Sequence, residues 1–346
     1  MKNRVCYMYG KMNLQYDEWP MPQAGADEVV VAVEYVGVCG SDLHFFETGM
    51  IGPREIKGKQ ILGHEASGIV YQVGSDVKDL KVGDRVAIEP GIACGSCQYC
   101  KEGLYNLCPN VRFISSNPYQ GAMQQYIAHP AHLCFKLPEE VSTLEGALIE
   151  PLAVGLHAAR QAQVSLGQTV VILGSGCIGL TTLLSAKAMG ASRIVITDLC
   201  DNRLEVAKRL GADVTINSTD EDAVETIMRL TGGEGADIVF ETAGSRFTAA
   251  QTGALVRRGG TIMIVGNVFG ETPFNFHQIS TKEVTIKSVF RYRNIYPLAI
   301  RAIQAGKIDI KSIVSHIYAF DQVENGLLQA MRDKDTVVKA VIQVNG

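Results

Sequence analysis

The sequence lacks the features that mark membrane and exported proteins. No stretch of eighteen uncharged apolar residues occurs among its 346 residues, so we expect no membrane-spanning helix. Charged residues interrupt the first nineteen positions, where an export signal would need an apolar run, and we therefore expect a cytoplasmic location. No long internal repeat or low-complexity tract is present.

An excess of positive charge is also missing. The formal net charge is −4, whereas a surface that binds nucleic acid or anionic lipid normally shows a basic excess. We therefore expect neither nucleic acid nor a membrane as the main partner. Apolar residues make up 47% of the chain, which is ample for packed cores, and the length favours two domains.

The cysteines do not suggest a disulfide framework. Their number is odd, nine, and without an export signal this favours reduced thiols and metal ligands. A run with gaps of two, two and seven residues contains Cys94, Cys97, Cys100 and Cys108. Four thiolates at such spacing can surround one ion, with Gly95 and Gly103 at the turns. We interpret the run as a closed structural zinc site; a redox or iron–sulfur cluster is the alternative.

A second, open metal site is indicated by Cys39 and the adjacent pair His64 and Glu65. Each alone is more often structural, since a lone cysteine is usually a small core residue and a lone histidine a satisfied polar one. Together they offer three zinc donors and leave a position for water or substrate. Glu150 precedes Pro151 where the two halves of the chain meet; it either starts a helix or belongs to this site.

The pattern of the chain changes near residue 150. Short β-branched runs bounded by Gly, Asp and Pro predict a barrel-like all-β module before it. After it, strands and helices alternate, which predicts an α/β domain with a doubly wound parallel sheet. The segment TIKSVFRYR, residues 285–293, is predicted as a strand. Two helices and a terminal strand follow, and we assign this whole tail to the first domain.

A dinucleotide site is predicted at GSGCIG, between the strand TVVIL and a helix. Gly174 permits the tight turn, Gly176 lets the backbone approach a pyrophosphate, and Gly179 lets the helix pack against the sheet. Asp198 closes the next strand nineteen residues after Gly179. A carboxylate there accepts hydrogen bonds from a ribose diol and repels a 2′-phosphate, which favours NAD over NADP. The alternative is a glycine-rich turn with Asp198 as a helix cap.

Several segments together resemble the zinc-dependent medium-chain dehydrogenases, and among them the polyol branch typified by sorbitol dehydrogenase. They are GVCGSDLHFF, LGHEASGIV, VGDRVAIEPG, the four-cysteine run, ALIEPLAVG, GSGCIG, VITDLCDNR and SVFRYRN. The resemblance covers essentially the whole chain. It implies a discontinuous GroES-like catalytic domain over 1–151 and 286–346, with a structural-zinc lobe at about 90–110, and a Rossmann NAD-binding domain over 152–285. It also implies a homotetramer, with a dimer as the alternative.

The resemblance also assigns roles to individual residues. It implies that Cys39, His64 and Glu65 hold a catalytic zinc, with Glu150 as a fourth ligand or linked through water. Ser41 and His44 would relay a proton towards solvent. Substrate would contact Phe45, Glu150, Arg291 and Tyr292. The dinucleotide would contact Gly174, Gly176, Ile178, Gly179, Asp198, Arg203, Val265, Gly266, Asn267, Phe290 and Arg291.

These roles predict a zinc- and NAD-dependent oxidoreductase that oxidises a secondary hydroxyl of a sugar alcohol. Sorbitol is the first expectation; xylitol, galactitol, iditol and L-idonate are alternatives. A polyol phosphate is disfavoured because no basic pocket is evident. The polyol family commonly has a tyrosine where this chain has Phe45, which removes a hydrogen-bond donor. A quinone or enoyl reductase without catalytic zinc and a non-catalytic binding protein are the rival classes.

Overall fold

The computed structural model describes residues 2–51, 54–56 and 58–345. The chain divides into two compact units. The first comprises Met1–Glu150, Tyr296–Gln304 and Val314–Gly346, and the second Pro151–Ile295 and Ala305–Ile313. Within the described residues, every helix is too short or too polar to cross a membrane.

The first part of the chain is mainly β. Its strands are Lys2–Tyr9 (β1), Leu14–Pro20 (β2), Glu28–Gly37 (β3), Met50–Ile51 (β4), Arg54–Glu55 (β5), Lys59–Ile61 (β6), Glu65–Val73 (β7), Arg85–Ile88 (β8), Gly91–Ile92 (β9), Arg112–Phe113 (β10), Tyr126–Pro130 (β11) and Cys134–Lys136 (β12). Its helices are Gly40–Thr48 (α1), Gln98–Lys101 (α2) and Thr143–Ala162 (α3), with single 3₁₀ turns at Tyr105–Leu107 and Ala131–Leu133.

Strands and helices alternate in the middle of the chain. The strands are Thr169–Leu173 (β13), Arg193–Asp198 (β14), Val214–Asn217 (β15), Ala236–Glu241 (β16), Val256–Ile264 (β17) and Thr285–Ser288 (β18). The helices are Cys177–Ala188 (α4), Asp201–Leu210 (α5), Ala223–Leu230 (α6), Arg246–Leu255 (α7) and Phe276–Thr281 (α8). The tail contains Tyr296–Gln304 (α9), Val323–Arg332 (α10), His316–Ala319 (β19), Ala340–Gln343 (β20) and 3₁₀ turns at Lys311–Ile313 and Phe320–Gln322.

The main sheet of the first unit is seven-stranded, in the order β12-β8-β7-β3-β20-β19, with β11 also paired to β3. Strand β3, EVVVAVEYVG, lies at its centre because its valines pack into a core shared with β1, β7 and β8. Antiparallel pairing places Gly37 of β3 opposite Glu65 of β7 and Val341 of β20. Three segments that are far apart in sequence therefore meet at the end of β3.

The second unit contains a six-stranded parallel sheet in the order β15-β14-β13-β16-β17-β18. Its central strands are buried and almost wholly apolar, as expected for strands covered on both faces. The order reverses between β13 and β16, and ligands of such sheets bind at the carboxyl ends of the strands beside that reversal. This confirms the predicted doubly wound α/β fold.

One predicted element differs from the structure. The strand predicted over 285–293 ends at Ser288, and Arg291 has a φ of 56°, which a strand cannot contain.

The tail is divided between the units. Strand β18 pairs in parallel with β17, so it belongs to the six-stranded sheet although we expected it in the first domain. By contrast, β20 pairs with β3 in the first unit. Which unit each tail strand joins depends on the strand it pairs with, and a local sequence pattern does not reveal that partner. The domain limits 1–151 with 286–346, and 152–285, remain a prediction.

Candidate metal and dinucleotide sites

Cys39, His64 and Glu65 form one cluster. Cys39 is the N-cap residue of α1. His64 and Glu65 stand where β7 begins. One ligand atom from each lies within 4.8 Å of the others, and His64 and Glu65 are buried. A thiol, an imidazole and a carboxylate at this spacing suit zinc, which takes sulfur, nitrogen and oxygen donors. The donor set therefore fits an open zinc site.

Asp42 holds the two metal-binding segments together. Its fully buried carboxylate accepts hydrogen bonds from the backbone N–H of Cys39 at 3.1 Å, from that of Gly63 at 3.0 Å, and from Ser115 Oγ at 3.2 Å. Its Oδ1 lies 3.7 Å from His64 Nδ1. A proton on Nδ1 that points at a carboxylate leaves Nε2 unprotonated, which is the form of histidine that binds zinc.

The charges of this pair reinforce each other. Burial opposes the ionised form of Asp42, but His64 and the amides of Gly63 and Cys39 outweigh it and hold the pKa of Asp42 below its usual value. Burial likewise opposes the imidazolium, yet Asp42 and Cys39 raise the pKa of His64 well above its usual value. A metal binds neutral histidine, so metal binding must displace a proton here.

We predict that Asp42→Asn weakens zinc binding at this site by about 10–100-fold. The two carboxylate oxygens of Asp42 each accept a hydrogen bond from one backbone N–H group, of Cys39 and of Gly63. In asparagine one of these oxygens is replaced by an N–H₂ group, which cannot accept, so one backbone N–H loses its acceptor. A competition titration against a chelator measures the affinity. Asp79→Asn, at an exposed carboxylate, is the matched control and should leave affinity unchanged. Equal zinc affinity in both variants would contradict this role for Asp42.

Glu65 has a buried cationic partner. Lys339 Nζ forms an ion pair with Glu65 Oε2, and their side chains are 2% and 1% exposed. The same ammonium donates to the carbonyl of Val38, next to Cys39, at 2.9 Å. A Cβ on Gly37 would lie 2.0 Å from Glu65 Oε2, so only glycine leaves room for the carboxylate. Lys339 thus links Glu65 to the segment that carries Cys39.

The other residues predicted around this metal lie on two helices. Ser41, His44 and Phe45 are on α1; His44 is exposed, and Phe45 packs against the core of the first unit. Glu150 lies on α3 and is 7% exposed. Its carboxylate is outside the group of three close ligand atoms found among the described residues. A direct bond from Glu150 to the ion is therefore not part of the observed geometry.

Glu89, which no sequence motif singled out, lies near Glu150. It is 3% exposed, and Tyr105 Oη donates to its Oε1 at 2.9 Å. Burial raises the pKa of Glu89 to about 7; the Tyr105 hydrogen bond opposes this shift, and the charge of Glu150 adds to it. Tyr105 belongs to the cysteine-rich segment, so this bond ties that segment to the main sheet.

The four cysteines of the run form a second cluster. One sulfur from each of Cys94, Cys97, Cys100 and Cys108 lies within 4.8 Å of the others. The backbone N–H of Cys94 also donates to Cys108 Sγ at 3.4 Å. The turns are made by Gly95 and Gly103, with φ of 70° and 76°. This closed set of four sulfurs is the geometry of a structural zinc site.

The sulfurs of this cluster need a cation. The backbone N–H groups of Ser96 and Cys97 lower the pKa of Cys94 to about 5. Burial, followed by the neighbouring Cys97, raises the pKa of Cys100 to about 12. Without a cation, one ionised thiol thus suppresses ionisation of the next. A bound Zn²⁺ would compensate all four thiolates, so the residues fit the metal.

The glycine turn after β13 has the shape that a pyrophosphate requires. Gly174 has a φ of 101°. A Cβ on Gly179 would lie 1.9 Å from the carbonyl oxygen of Gly174, so helix and strand can approach only with glycine there. At Gly176 the nearest atom to such a Cβ is Arg203 Nη1 at 3.8 Å, which leaves the backbone open to a ligand. The turn ends where α4 begins, and a helix N-terminus favours phosphate.

Asp198 stabilises this turn. Its carboxylate accepts hydrogen bonds from the backbone N–H of Ser175 at 2.6 Å, Leu199 at 2.8 Å and Cys200 at 3.1 Å. The N-cap residue of α5 is Cys200, so the alternative in which Asp198 caps that helix is not observed. Asp198 is half-buried at the carboxyl end of β14, where a ribose would lie.

Comparison with known proteins gives the family. The alcohol dehydrogenase GroES-like domain matches residues 25–139, and the zinc-binding dehydrogenase model matches residues 177–305. A sorbitol dehydrogenase of Bacillus subtilis is 41% identical over 343 residues, which cover 99% of this chain and 97% of that protein. The chain belongs to the zinc-dependent medium-chain dehydrogenases. Its place in the polyol branch, predicted from the motifs, is confirmed.

Two further relatives of this medium-chain dehydrogenase are informative. An L-idonate 5-dehydrogenase of Vitis vinifera is 41% identical over 325 residues, covering 93% of this chain and 89% of that protein. A crystal structure of ECK1772, an oxidoreductase/dehydrogenase of unknown specificity involved in membrane biogenesis from Escherichia coli, has a TM-score of 0.97 at 46% identity over 100% of both chains. The GroES-like and Rossmann folds are therefore confirmed. Zinc and a nicotinamide dinucleotide are the cofactors of this dehydrogenase.

The remaining predicted dinucleotide contacts of the dehydrogenase lie at two strand ends. Val265, Gly266 and Asn267 directly follow β17. Glu241, the last residue of β16, was not predicted; its buried carboxylate accepts hydrogen bonds from the Gly244 N–H at 3.0 Å and Thr248 Oγ1 at 2.7 Å. Its carbonyl accepts from the N–H groups of Val265 and Gly266, both at 2.9 Å. Glu241 therefore shapes both loops.

The FRYR segment of the dehydrogenase follows β18 as a loop. Phe290 is 57% exposed, and Arg291 Cζ lies 4.5 Å from the centre of its ring. Tyr292 is 3% exposed. Ile178 lies in the first turn of α4, and Arg203 in that of α5. The roles given to all these residues from the resemblance remain predictions.

Proposed function

We propose that this dehydrogenase oxidises a secondary hydroxyl of a sugar alcohol to the ketose and transfers the hydride to NAD⁺, with sorbitol as the first candidate. The observation that carries the proposal is the cluster of Cys39 with the buried His64 and Glu65 in a member of the polyol branch. A quinone or enoyl reductase of the same fold would not need these three donors together.

A zinc ion, when bound, supplies the Lewis acidity that lowers the pKa of a hydroxyl. The side chains of the protein transfer the proton and bind the substrate. Ser41 and His44 carry the hydroxyl proton towards solvent, which suits the exposed position of His44. Glu150 orients water or substrate beside the metal site. Arg291 and Tyr292 donate hydrogen bonds to further hydroxyls, since a guanidinium offers several N–H donors and a phenol one O–H donor.

NAD⁺ is the proposed acceptor because of Asp198. Its carboxylate, held by three backbone N–H groups, still has lone pairs for a ribose diol. The same charge would repel a 2′-phosphate. Val265, Gly266, Asn267 and Phe290 complete the contacts in this proposal. We also propose a cytoplasmic homotetramer, by analogy with the family.

A sugar acid such as L-idonate is the second candidate. One relative is an L-idonate 5-dehydrogenase, and a guanidinium such as that of Arg291 pairs well with a carboxylate. Phe45 lacks the phenol that is common in the polyol family at that position, so a hydroxyl partner is missing there. Because this missing phenol leaves the substrate preference open, xylitol, galactitol and iditol are also candidates.

A panel of sugar alcohols and L-idonate, each assayed with NAD⁺ and NADP⁺, tests the proposal. We expect the highest kcat/KM with a polyol and NAD⁺, and about two zinc ions per chain by metal analysis. Asp198→Ala should reduce the preference for NAD⁺, whereas Asp220→Ala, at an exposed carboxylate, should not. One zinc per chain and no oxidation of any polyol or sugar acid would refute the proposal and favour a quinone or enoyl reductase or a non-catalytic binding protein.

A further inference from the structure

The last turn of α3 binds the loop that follows β18. We call residues 290–294 the FRYRN loop. Arg160 Nη2 donates to the carbonyl of Arg293 at 2.6 Å, and its Nη1 to that of Asn294 at 3.3 Å. Just before the loop, Lys287 Nζ donates to the carbonyl of Gln161 at 2.9 Å. Two cationic side chains thus join the end of α3 to this segment.

The backbone of the FRYRN loop needs such support. Arg291 has a φ of 56°, in the left-handed region that residues with a Cβ rarely adopt, and Asn294, of a type that tolerates this region, has a φ of 53°. Conformations of this kind persist only where the surroundings impose them, and they concentrate at functional sites. The two carbonyls that Arg160 holds belong to the residues that follow Arg291 and Tyr292.

His157 completes the arrangement. Its Nδ1 lies 3.3 Å from Arg160 Nη2, and the residue is 1% exposed. Burial, together with the charges of Arg293 and Arg160, lowers the pKa of His157 to about 4. The imidazole is therefore neutral near pH 7 and can accept a hydrogen bond from Arg160, which restricts the guanidinium to one orientation. Cations at a helix C-terminus are also favoured by its dipole.

We propose that Arg160 is a positioning residue for substrate recognition. By holding the carbonyls of Arg293 and Asn294, it sets the backbone from which Arg291 and Tyr292 reach the polyol. This inference rests on the proposed function, which assigns those two side chains to the substrate. Only a planar, forked donor can serve both carbonyls and the imidazole at once, so a lysine cannot replace it fully.

Steady-state kinetics of Arg160→Met, measured with the polyol that gives the highest kcat/KM in the panel, test the proposal. We expect KM to rise about tenfold with a smaller change in kcat, because displaced recognition groups weaken binding. Arg160→Lys, which keeps the charge and can serve one carbonyl, should give an intermediate KM. Arg209→Met is the matched control, because Arg209 is an exposed arginine in the last turn of α5 and should keep the parental KM.

Hydrogen–deuterium exchange gives a readout that needs no activity. Amides of residues 289–295 should exchange faster in Arg160→Met, while those of α7 stay unchanged. If the unmodified protein oxidises no polyol, the proposed function is refuted. The hydrogen–deuterium exchange rates then still show whether Arg160 holds the FRYRN loop. Faster exchange with an unchanged KM would overturn the role in recognition. An unchanged exchange rate, or a loss of kcat alone, would overturn the positioning role as well.

Discussion

Replacing Cys39 by serine should abolish alcohol oxidation and remove one of the two zinc ions. A serine hydroxyl is a much weaker zinc donor than a thiolate, and the remaining donors, His64 and Glu65, do not make a stable site. Loss of a Lewis acid that contributes several kcal/mol to the transition state corresponds to at least about a 10³-fold fall in kcat/KM. Steady-state kinetics and metal analysis of the same preparation measure both effects.

Two comparison variants make this test specific. Cys97→Ser should lose the other zinc and lower thermal stability, because Cys97 belongs to the closed cluster of four sulfurs. Cys134→Ala removes a buried thiol that is in neither cluster and should keep both ions and the activity. Polyol oxidation that survives in Cys39→Ser would refute the proposed function, whatever the zinc content.

Lys339→Met should destabilise the zinc-free protein by about 3–5 kcal/mol, because it leaves a buried carboxylate without its partner. Glu65 is 1% exposed, and the Val38 carbonyl loses its donor at the same time. Urea denaturation after removal of metal by a chelator measures the free energy of unfolding. In the zinc-loaded protein the loss should be smaller, since the cation also compensates Glu65.

The double variant Lys339→Met with Glu65→Gln separates the ion pair from the packing. It should recover most of the lost stability, because neither charge is then buried alone. Lys208→Met, at an exposed lysine of α5, is the control for loss of a cation and should change stability by less than about 0.5 kcal/mol. A loss below about 1 kcal/mol in Lys339→Met would show that Glu65 is not held as an ion by Lys339.

Local patterns were sufficient for the parts of the molecule whose chemistry lies within a short stretch of chain. The cysteine run closes around one point because its gaps are short, and its four sulfurs do converge. The turn GSGCIG requires glycine for contacts within the same strand–turn–helix unit, and the structure shows those contacts. The six-stranded sheet follows from the regular alternation of strands and helices.

Other features depend on partners that are distant in sequence. Asp42 lies inside the motif GVCGSD, yet its contacts with Gly63 and Ser115 could not be read from it. The FRYR segment consists of residues typical of strands, but pairing with β17 ends at Ser288 and the chain then turns. The motif around Glu150 likewise does not show whether its carboxylate binds the metal directly or through water; among the described residues, the close group of ligand atoms comes from Cys39, His64 and Glu65.

Residue type and short spacing are enough to identify two sets of zinc donors, a glycine turn of the dinucleotide-binding kind and the carboxylate of Asp198 at a strand end. These features can be recognised without knowing how the rest of the chain folds. The charges that surround those groups come instead from segments that are distant in sequence. Lys339 reaches Glu65 because β20 pairs with β3, and Arg160 reaches the FRYRN loop because that loop lies at the end of α3. Burial and pairing of a charge depend on every segment that packs around it, and a local pattern contains only one of those segments.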